Sequence, residues 1–207
     1  MFQTLANAWK IPDLRKKILF TAFIIVIYRI GANIPVPFVD IIEGGLLGGT
    51  EGTTFLSYLS MMTGDAFNYG TIFALSITPY INSSIIIQLL AVVFPKLGEL
   101  AKTDKTKMNF ITRITTVILA LVTAIGYYFL LRNSSMLTNA AMPEDNPKTF
   151  WIYGIVIVAC YCAGAAVIMW LAELVNQKGI GNGISLILFA GIIASIPSFV
   201  YNLVSLV

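Results

Sequence analysis

The sequence of 207 residues contains no histidine and only two cysteines, and charged residues make up just 11% of it. Without histidine it cannot form a Ser–His–Asp triad, an HExxH zinc site or a histidine-ligated haem. Cys160 and Cys162 lie in an apolar run without further ligands nearby, so we interpret them as packing residues. The net charge of +3 is too small to indicate nucleic-acid binding. We therefore expect no enzyme activity, no cofactor and no metal site.

Long apolar runs dominate the sequence instead. Hydrophobic residues make up 57% of it, against about 45–50% in soluble domains. A helix needs about 20 apolar residues to cross a bilayer, and five runs reach or approach that length. They leave no room for a sizeable soluble domain. We predict an all-α, polytopic membrane protein with a single transmembrane domain over residues 1–207, whose spans lie at about 18–34, 70–94, 110–131, 150–171 and 184–207.

The basic residues predict the orientation. Ten Lys and Arg residues lie in the N-terminal segment and in the loops after the second and fourth runs, whereas the alternate loops hold only Arg132 and Lys148. Because basic residues concentrate on the cytoplasmic side, we expect a cytoplasmic N-terminus and residue 207 on the outer side. The apolar end of the sequence has no polar tail, which predicts that these residues are the N-terminal part of a longer protein.

The second run is unusually polar for a membrane span. Asn82 and Gln88 are costly against lipid unless they meet partners or water. At about 100° per residue, Ile77, Ile81 and Gln88 share one helical face, and Thr78 and Asn82 form an adjacent polar face. These polar groups either bond to neighbouring helices or line a water-filled path or a mobile helix contact.

Two shorter segments also differ from ordinary spans. Residues 55–67 are apolar but too short to cross a bilayer, and glycines flank them, so they form either a re-entrant helix or a helix lying flat at the interface. The connection 173–185 contains three glycines that faintly resemble a phosphate loop, but a membrane helix precedes them, so we expect a tight turn. After that turn, Ile184 and Leu188 face one way at i and i+4.

The residues alone leave two classes of protein open, a channel and an inverted-repeat secondary transporter of small solutes. A transporter should place an ionisable side chain near the middle of the membrane. Arg29 comes nearest to that position, but it lies towards the outer end of its run and can snorkel.

Two motifs carry a resemblance to a known family. The first is IFALSITPYINSSIIIQLL at residues 72–90, and the second combines MWLAE at residues 169–173 with GIGNGIS at residues 179–185. Weaker agreement covers Tyr28 to Gly31 and the sequence IPVP at residues 34–37. With these motifs, the sequence resembles the SecY family of protein-conducting channels, over essentially its whole length.

The resemblance implies a role for each region. The family has ten spans in two five-span halves, related by a pseudo-two-fold axis in the membrane plane, and this sequence resembles the first half. It implies an hourglass pore between the halves, a plug helix at about 55–67 and a lateral gate formed in part by the second and third spans. The implied pore ring consists of Ile77, Ile81, Ile184 and Leu188. The implied plug residues are Phe55, Leu56, Leu59, Met62 and Gly64, and the implied lateral-gate residues are Thr78, Asn82 and Gln88.

The implied function is that of a channel subunit that passes secretory polypeptides across the bacterial cytoplasmic membrane and releases membrane-protein segments into it. The implied partners are SecE and SecG subunits, the SecA motor or the ribosome, signal sequences and unfolded secretory polypeptides, membrane lipid and the C-terminal half of the channel. No nucleic acid is expected to bind directly. The sequence departs from the family where Ser76 replaces a usual glycine, and where KTDKTK at residues 102–107 lacks the usual Gly-Arg-Arg.

Overall fold

The computed structural model describes residues 11–40, 45–47, 55–134, 136–137 and 147–205, and their side chains except at 47, 55, 105, 147–150 and 198–205. In this part of the chain the structure contains seven helices and no strand, which confirms the all-α prediction. The helices are α1 (Pro12–Gly31), α2 (Phe55–Thr63), α3 (Thr78–Val93), α4 (Pro95–Thr103), α5 (Lys105–Asn133), α6 (Pro147–Lys178) and α7 (Gly183–Ser205), and a short 3-10 turn covers Gly45–Leu47.

Among the described residues, two helices have the length and composition of membrane spans by themselves, and one bent pair of helices has them together. α5 is apolar over Thr106–Asn133 and α6 over Trp151–Lys178, and each is long enough to cross a bilayer by itself. α3 and α4 reach that length only together, and they bend by 115° at their junction. α7 is apolar over Gly183–Pro197. These apolar helices fit insertion into a membrane as a multi-pass protein.

The bend between α3 and α4 follows from proline chemistry. Phe94 separates the two helices and is extended, at φ −104° and ψ 107°. The ring of the following Pro95 clashes with a helical conformation of the residue before it. Pro95 itself suits the first position of a new helix, because it has no N–H to leave unbonded. The chain therefore turns sharply at the end of α3 instead of extending the span.

The helix of the second predicted span begins at Thr78 rather than at Gly70, which corrects the expectation of a continuous helix. Residues 64–77 form turns that are mostly buried. Gly70 and Ser76 have φ of 61° and 50°, and a right-handed helix does not include such positive values. The argument from helical faces therefore applies only from Thr78 onwards, and Ile77 lies at the N-cap of α3.

The turns at residues 64–77 lie between two hydrophobic clusters. One cluster packs Phe67 and Leu75 against α5 and α6. The other packs Phe73 and Ile77 against α1, α6 and α7. This non-helical segment is therefore enclosed by protein, as backbone without helical hydrogen bonds must be at membrane depth.

Two tyrosine side chains bond to the backbone of this enclosed segment. The Tyr161 hydroxyl of α6 donates to the Gly70 carbonyl oxygen at 3.0 Å. The Tyr127 hydroxyl of α5 donates to the Phe67 carbonyl oxygen. Both carbonyl oxygens would be costly to bury without a donor, so α5 and α6 hold the turns in place through hydrogen bonds as well as apolar contact.

Candidate functional site

The four aliphatic residues of the implied pore ring meet in one cluster. Ile77 is only 1% exposed within the cluster that joins α1, α6 and α7. Ile81, Ile184 and Leu188 are half-buried and pack against the same cluster. The starts of α3 and α7 therefore converge, and three of the four side chains keep part of their surface uncovered, while Ile77 is covered.

Hydrogen bonds between backbone N–H groups and two asparagine side chains fix the start of α7, and therefore the position of Ile184. The Gly183 N–H donates to Asn176 Oδ1 at 2.7 Å, and the Ile184 N–H donates to Asn182 Oδ1 at 3.0 Å. Gly181 has a φ of 78°, as a tight turn requires. A Cβ atom at Gly183 would lie 2.1 Å from a backbone carbonyl oxygen of α6. The glycines of this connection thus serve a turn and a close helix contact.

The implied plug corresponds to α2, which ends four residues before the predicted boundary. Leu56 and Leu59 are half-buried against the cluster of α5 and α6, and Met62 is exposed. Gly64 follows the helix with a φ of 66°. The side chain of Phe55 lies outside the described residues. α2 packs on α7, the helix that carries Ile184 and Leu188.

A cavity of about 260 Å³ separates α2, the implied plug, from α3 and α5. Its lining is almost entirely apolar and includes Leu56 and Leu59 of α2, Thr78 of α3, and Gly126 and Tyr127 of α5. The structure therefore brings one implied gate residue, Thr78, to the same space as two implied plug residues.

The other two implied gate residues lie on uncovered surface of α3. Asn82 and Gln88 are exposed. Gln88 Nε2 donates to Ser84 Oγ, one turn back on the same helix, at 3.1 Å. The Asn82 side chain makes no hydrogen bond to any described residue. Among the described residues, neither side chain bonds to a neighbouring helix, so α3 presents both amides on a surface that its own neighbours leave open.

A buried serine that sequence reasoning missed anchors α3 to α5. Ser83 is fully buried, and its hydroxyl donates to the Thr112 carbonyl oxygen at 3.0 Å and lies 2.7 Å from Thr116 Oγ1. The sequence contains a signal for this contact, because Thr112 and Thr116 are four residues apart on one face of α5. Their one-sided spacing indicates a polar contact, although it cannot identify Ser83 as the partner.

An ion pair between α5 and α6 also escaped the sequence reasoning, which used Arg113 only as one of the ten basic residues that predict the orientation. Its Nε donates to Glu173 Oε1 at 2.7 Å, and its Nη2 donates to Glu173 Oε2. This bidentate geometry fits the planar guanidinium to the carboxylate. Glu173 belongs to the MWLAE motif, so the motif carries a contact between two spans.

Comparison with known proteins identifies the family. The sequence profile of the SecY family matches residues 71–207. The chain belongs to the SecY family. This result confirms the resemblance, and it favours a channel over the small-solute transporter that the residues alone left open.

Curated members of the SecY family match almost the entire chain. Over 213 aligned residues it is 39% identical to the protein translocase subunit SecY of Streptomyces scabiei. The alignment covers 98% of this chain and 48% of the relative. Over 198 residues it is 42% identical to the SecY subunit of Corynebacterium glutamicum, covering 93% of this chain and 45% of the relative. The chain spans about half the length of the curated relatives that it matches.

Solved structures show the same fold. Sec61 in the canine ribosome-channel complex from the endoplasmic reticulum matches with a TM-score of 0.56 and 20% identity, covering 86% of this chain and 36% of that one. A SecY whose plug domain stabilises the closed state of its channel matches with a TM-score of 0.53 and 21% identity, covering 88% and 36%. The helices described above therefore have the arrangement of a partial SecY fold.

The departure from the SecY family at Ser76 lies at a special backbone position. Ser76 has a φ of 50° and is 2% exposed. Positive φ is strained for a residue with a Cβ atom, whereas glycine adopts it readily. The glycine that is usual in the family would fit this turn without strain, so the serine occupies a site shaped for glycine.

Proposed function

We propose that this chain forms the first half of a protein-conducting channel. The observation that supports the proposal most strongly is the convergence of Ile81, Ile184 and Leu188, which keep part of their surface uncovered, beside the covered Ile77. A narrow ring of branched aliphatic side chains resists wetting when empty, and it seals around a passing chain without binding it strongly. Such a ring suits a channel that passes varied polypeptides and retains ions.

In this proposal the plug and the gate flank the ring. α2 is the plug, because it packs on the same helix, α7, that carries Ile184 and Leu188. α3 and α5 form one side of the lateral gate, with Asn82 and Gln88 on its uncovered polar surface and Thr78 at the cavity beside α2. A hydrophobic signal sequence opens the gate because it binds the open state better than the closed one, as any opening ligand must. Membrane-protein segments then leave through the gate into lipid.

The proposal includes the second half, the other subunits and the membrane. The C-terminal half of the channel supplies the opposite wall, since this chain spans about half of its relatives. SecE, SecG, the SecA motor or the ribosome, signal sequences and unfolded secretory polypeptides are the proposed partners. We propose the bacterial cytoplasmic membrane as the location, with the N-terminus inside and residue 207 outside. The predicted spans at 18–34, 70–94, 110–131, 150–171 and 184–207 belong to the same proposal.

The substitution Ile81→Asn tests the ring. In the full-length channel it should raise the resting ion conductance of planar bilayers at least severalfold, because an amide at the constriction favours wetting. The matched control is Ile118→Asn on α5, whose side chain is 59% exposed and outside the cluster. Resting conductance that stays at the level of the control would contradict the assignment of Ile81 to the ring.

A further inference from the structure

Arg29 is a charged residue in the otherwise apolar C-terminal half of α1. Its hydrogen-bond partner lies directly after α2, the proposed plug. Its Nη1 donates to the Gly64 carbonyl oxygen at 3.3 Å, directly after α2 ends. A charged side chain within a membrane span is costly, so its partner indicates a function. Arg29 is half-buried, and its guanidinium therefore reaches into the protein rather than only towards the membrane surface.

A second contact reaches the same end of α2 from a different helix. Ser195 of α7 is buried, and its hydroxyl hydrogen is shared between the Met61 carbonyl oxygen, at 3.1 Å, and the Ile192 carbonyl oxygen of its own helix, at 2.9 Å. The last carbonyl groups of a helix lack partners within that helix, and they form the negative end of its dipole. A cation from α1 and a hydroxyl from α7 thus bind the end of α2 where donors are most needed.

Close backbone contact places α2 against α7 at this point. A Cβ atom at Gly191 would lie 2.5 Å from the Met62 carbonyl oxygen. A Cβ atom at Gly64 would lie 2.8 Å from the Gly191 carbonyl oxygen and 3.0 Å from Arg29 Nη1. Only glycine at both positions leaves room for the two backbones, so the end of α2 occupies a fitted seat on α7.

We propose that Arg29 and Ser195 form a plug latch, which retains α2 in its seat while the channel is closed. The proposal rests on the proposed function, since it names the residues that regulate the plug. The two contacts come from different helices, and α7 also carries Ile184 and Leu188. A movement of α7 away from α1 that widens the constriction therefore separates the two halves of the latch. Opening of the ring and release of the plug become one event.

The labelling rate of a buried cysteine measures release of the plug. The reporter is Ser60→Cys, in a full-length channel in which Cys160 and Cys162 are replaced by serine. Ser60 lies in α2 and is 3% exposed, so a water-soluble maleimide reaches it only when α2 leaves its seat. A second reporter, Ser83→Cys, lies in the equally buried contact between α3 and α5 and detects any general loosening of the fold.

Arg29→Met should raise the labelling rate at position 60 about tenfold or more, because hydrogen bonds to charged groups are among the stronger ones. Ser195→Ala should raise it by a smaller factor, and Arg29→Lys should restore part of the protection. The control is Ile30→Met, at an exposed neighbouring position, and it should leave the rate unchanged. Labelling at position 83 should stay slow in every variant.

Two results would overturn the latch. One is a rate at position 60 within twofold of the control in both Arg29→Met and Ser195→Ala. The other is a parallel rise at positions 60 and 83, which would mean general loosening. Resting conductance of the same variants separates the latch from the channel proposal. If position 60 is labelled fast while the resting ion conductance stays unchanged, the latch stands and α2 is not a barrier to ions. If position 60 is labelled slowly, the latch is wrong and the channel proposal is unaffected.

Discussion

The contact between α3 and α5 and the contact between α2 and α7 join helices in different ways. Ser83 is fully buried between α3 and α5, where it meets two threonines of α5. Among the described residues, α2 instead sits on α7 through backbone approach at Gly191 and one side-chain hydrogen bond, from Ser195. The first contact is enclosed and multiply bonded, and the second lies beside exposed side chains such as Met62.

In the proposed channel, this difference separates a fixed part of the molecule from a movable one. α3, α5, α6 and the enclosed turns at residues 64–77 share buried polar contacts and apolar packing, so opening them exposes many groups at once. α2 is short, and its seat depends on few bonds that can break separately. Local opening in proteins occurs where buried apolar contact is sparse. A plug that leaves and returns needs a contact with few bonds, like that between α2 and α7. A gate helix needs an enclosed contact with several bonds, like that between α3 and α5.

The largest expected effect comes from disturbing the fixed part at Gly164 of α6. A Cβ atom there would lie 2.1 Å from the Ile72 carbonyl oxygen, within the enclosed turns. Gly164→Ala should therefore lower the free energy of unfolding by about 3 kcal/mol, since the backbone cannot yield without losing packing. Thermal unfolding of the purified protein in detergent measures the change.

Gly126 of α5 provides the matched control, because nothing lies within 4 Å of a Cβ atom at that position. Gly126→Ala should leave stability equal or raise it by up to about 1 kcal/mol, as alanine favours helix. Equal effects of the two substitutions would show that the turns do not press against α6 as described.

A smaller effect distinguishes the two helix contacts directly. Ser83→Ala should lower the free energy of unfolding by about 1 kcal/mol, in the range found for buried polar contacts in membrane proteins. Ser195→Ala should change it by less than half as much and act mainly on the exposure of α2. Chemical denaturation of both variants, in parallel with the wild type, measures the difference. If Ser195→Ala lowered the free energy of unfolding more than Ser83→Ala does, the assignment of fixed and movable parts would be reversed.

Sequence reasoning was strongest for features that depend on local pattern. The apolar runs predicted the helices of the all-α fold, and their spacing put Ile184 and Leu188 on one face of α7. Sequence reasoning failed where the conformation depends on backbone that local pattern does not describe. The late start of α3 depends on positive φ at Gly70 and Ser76, and a serine gives no warning of that conformation.

Partners across the fold were also beyond the sequence pattern. Arg29 was interpreted as a side chain that snorkels, because nothing local shows that the Gly64 carbonyl oxygen lies within reach. Tyr127 and Tyr161 look like ordinary apolar packing residues until the enclosed turns supply carbonyl oxygens for their hydroxyls. Long-range hydrogen bonds of this kind follow from the fold and do not have a sequence period.

The smallest expected effect concerns the strained turn before α3. Ser76→Gly should raise the free energy of unfolding by about 0.5–1 kcal/mol, because relief of the positive φ exceeds the added entropy of the unfolded chain. The shift of the thermal unfolding midpoint measures the gain. Destabilisation by this substitution would mean that the serine side chain makes a favourable contact in the turn.

Site-specific photocrosslinking at Ile81 tests the central claim most directly. The full-length channel with SecE carries the probe at Ile81, and a secretory chain is stalled in transit. We predict a crosslink from Ile81 to the stalled chain and none from a probe at Ile118, an exposed position on α5. In a complex shown to hold the stalled chain, the absence of a crosslink from Ile81 would contradict the account, because α3 would then not face the path of the polypeptide.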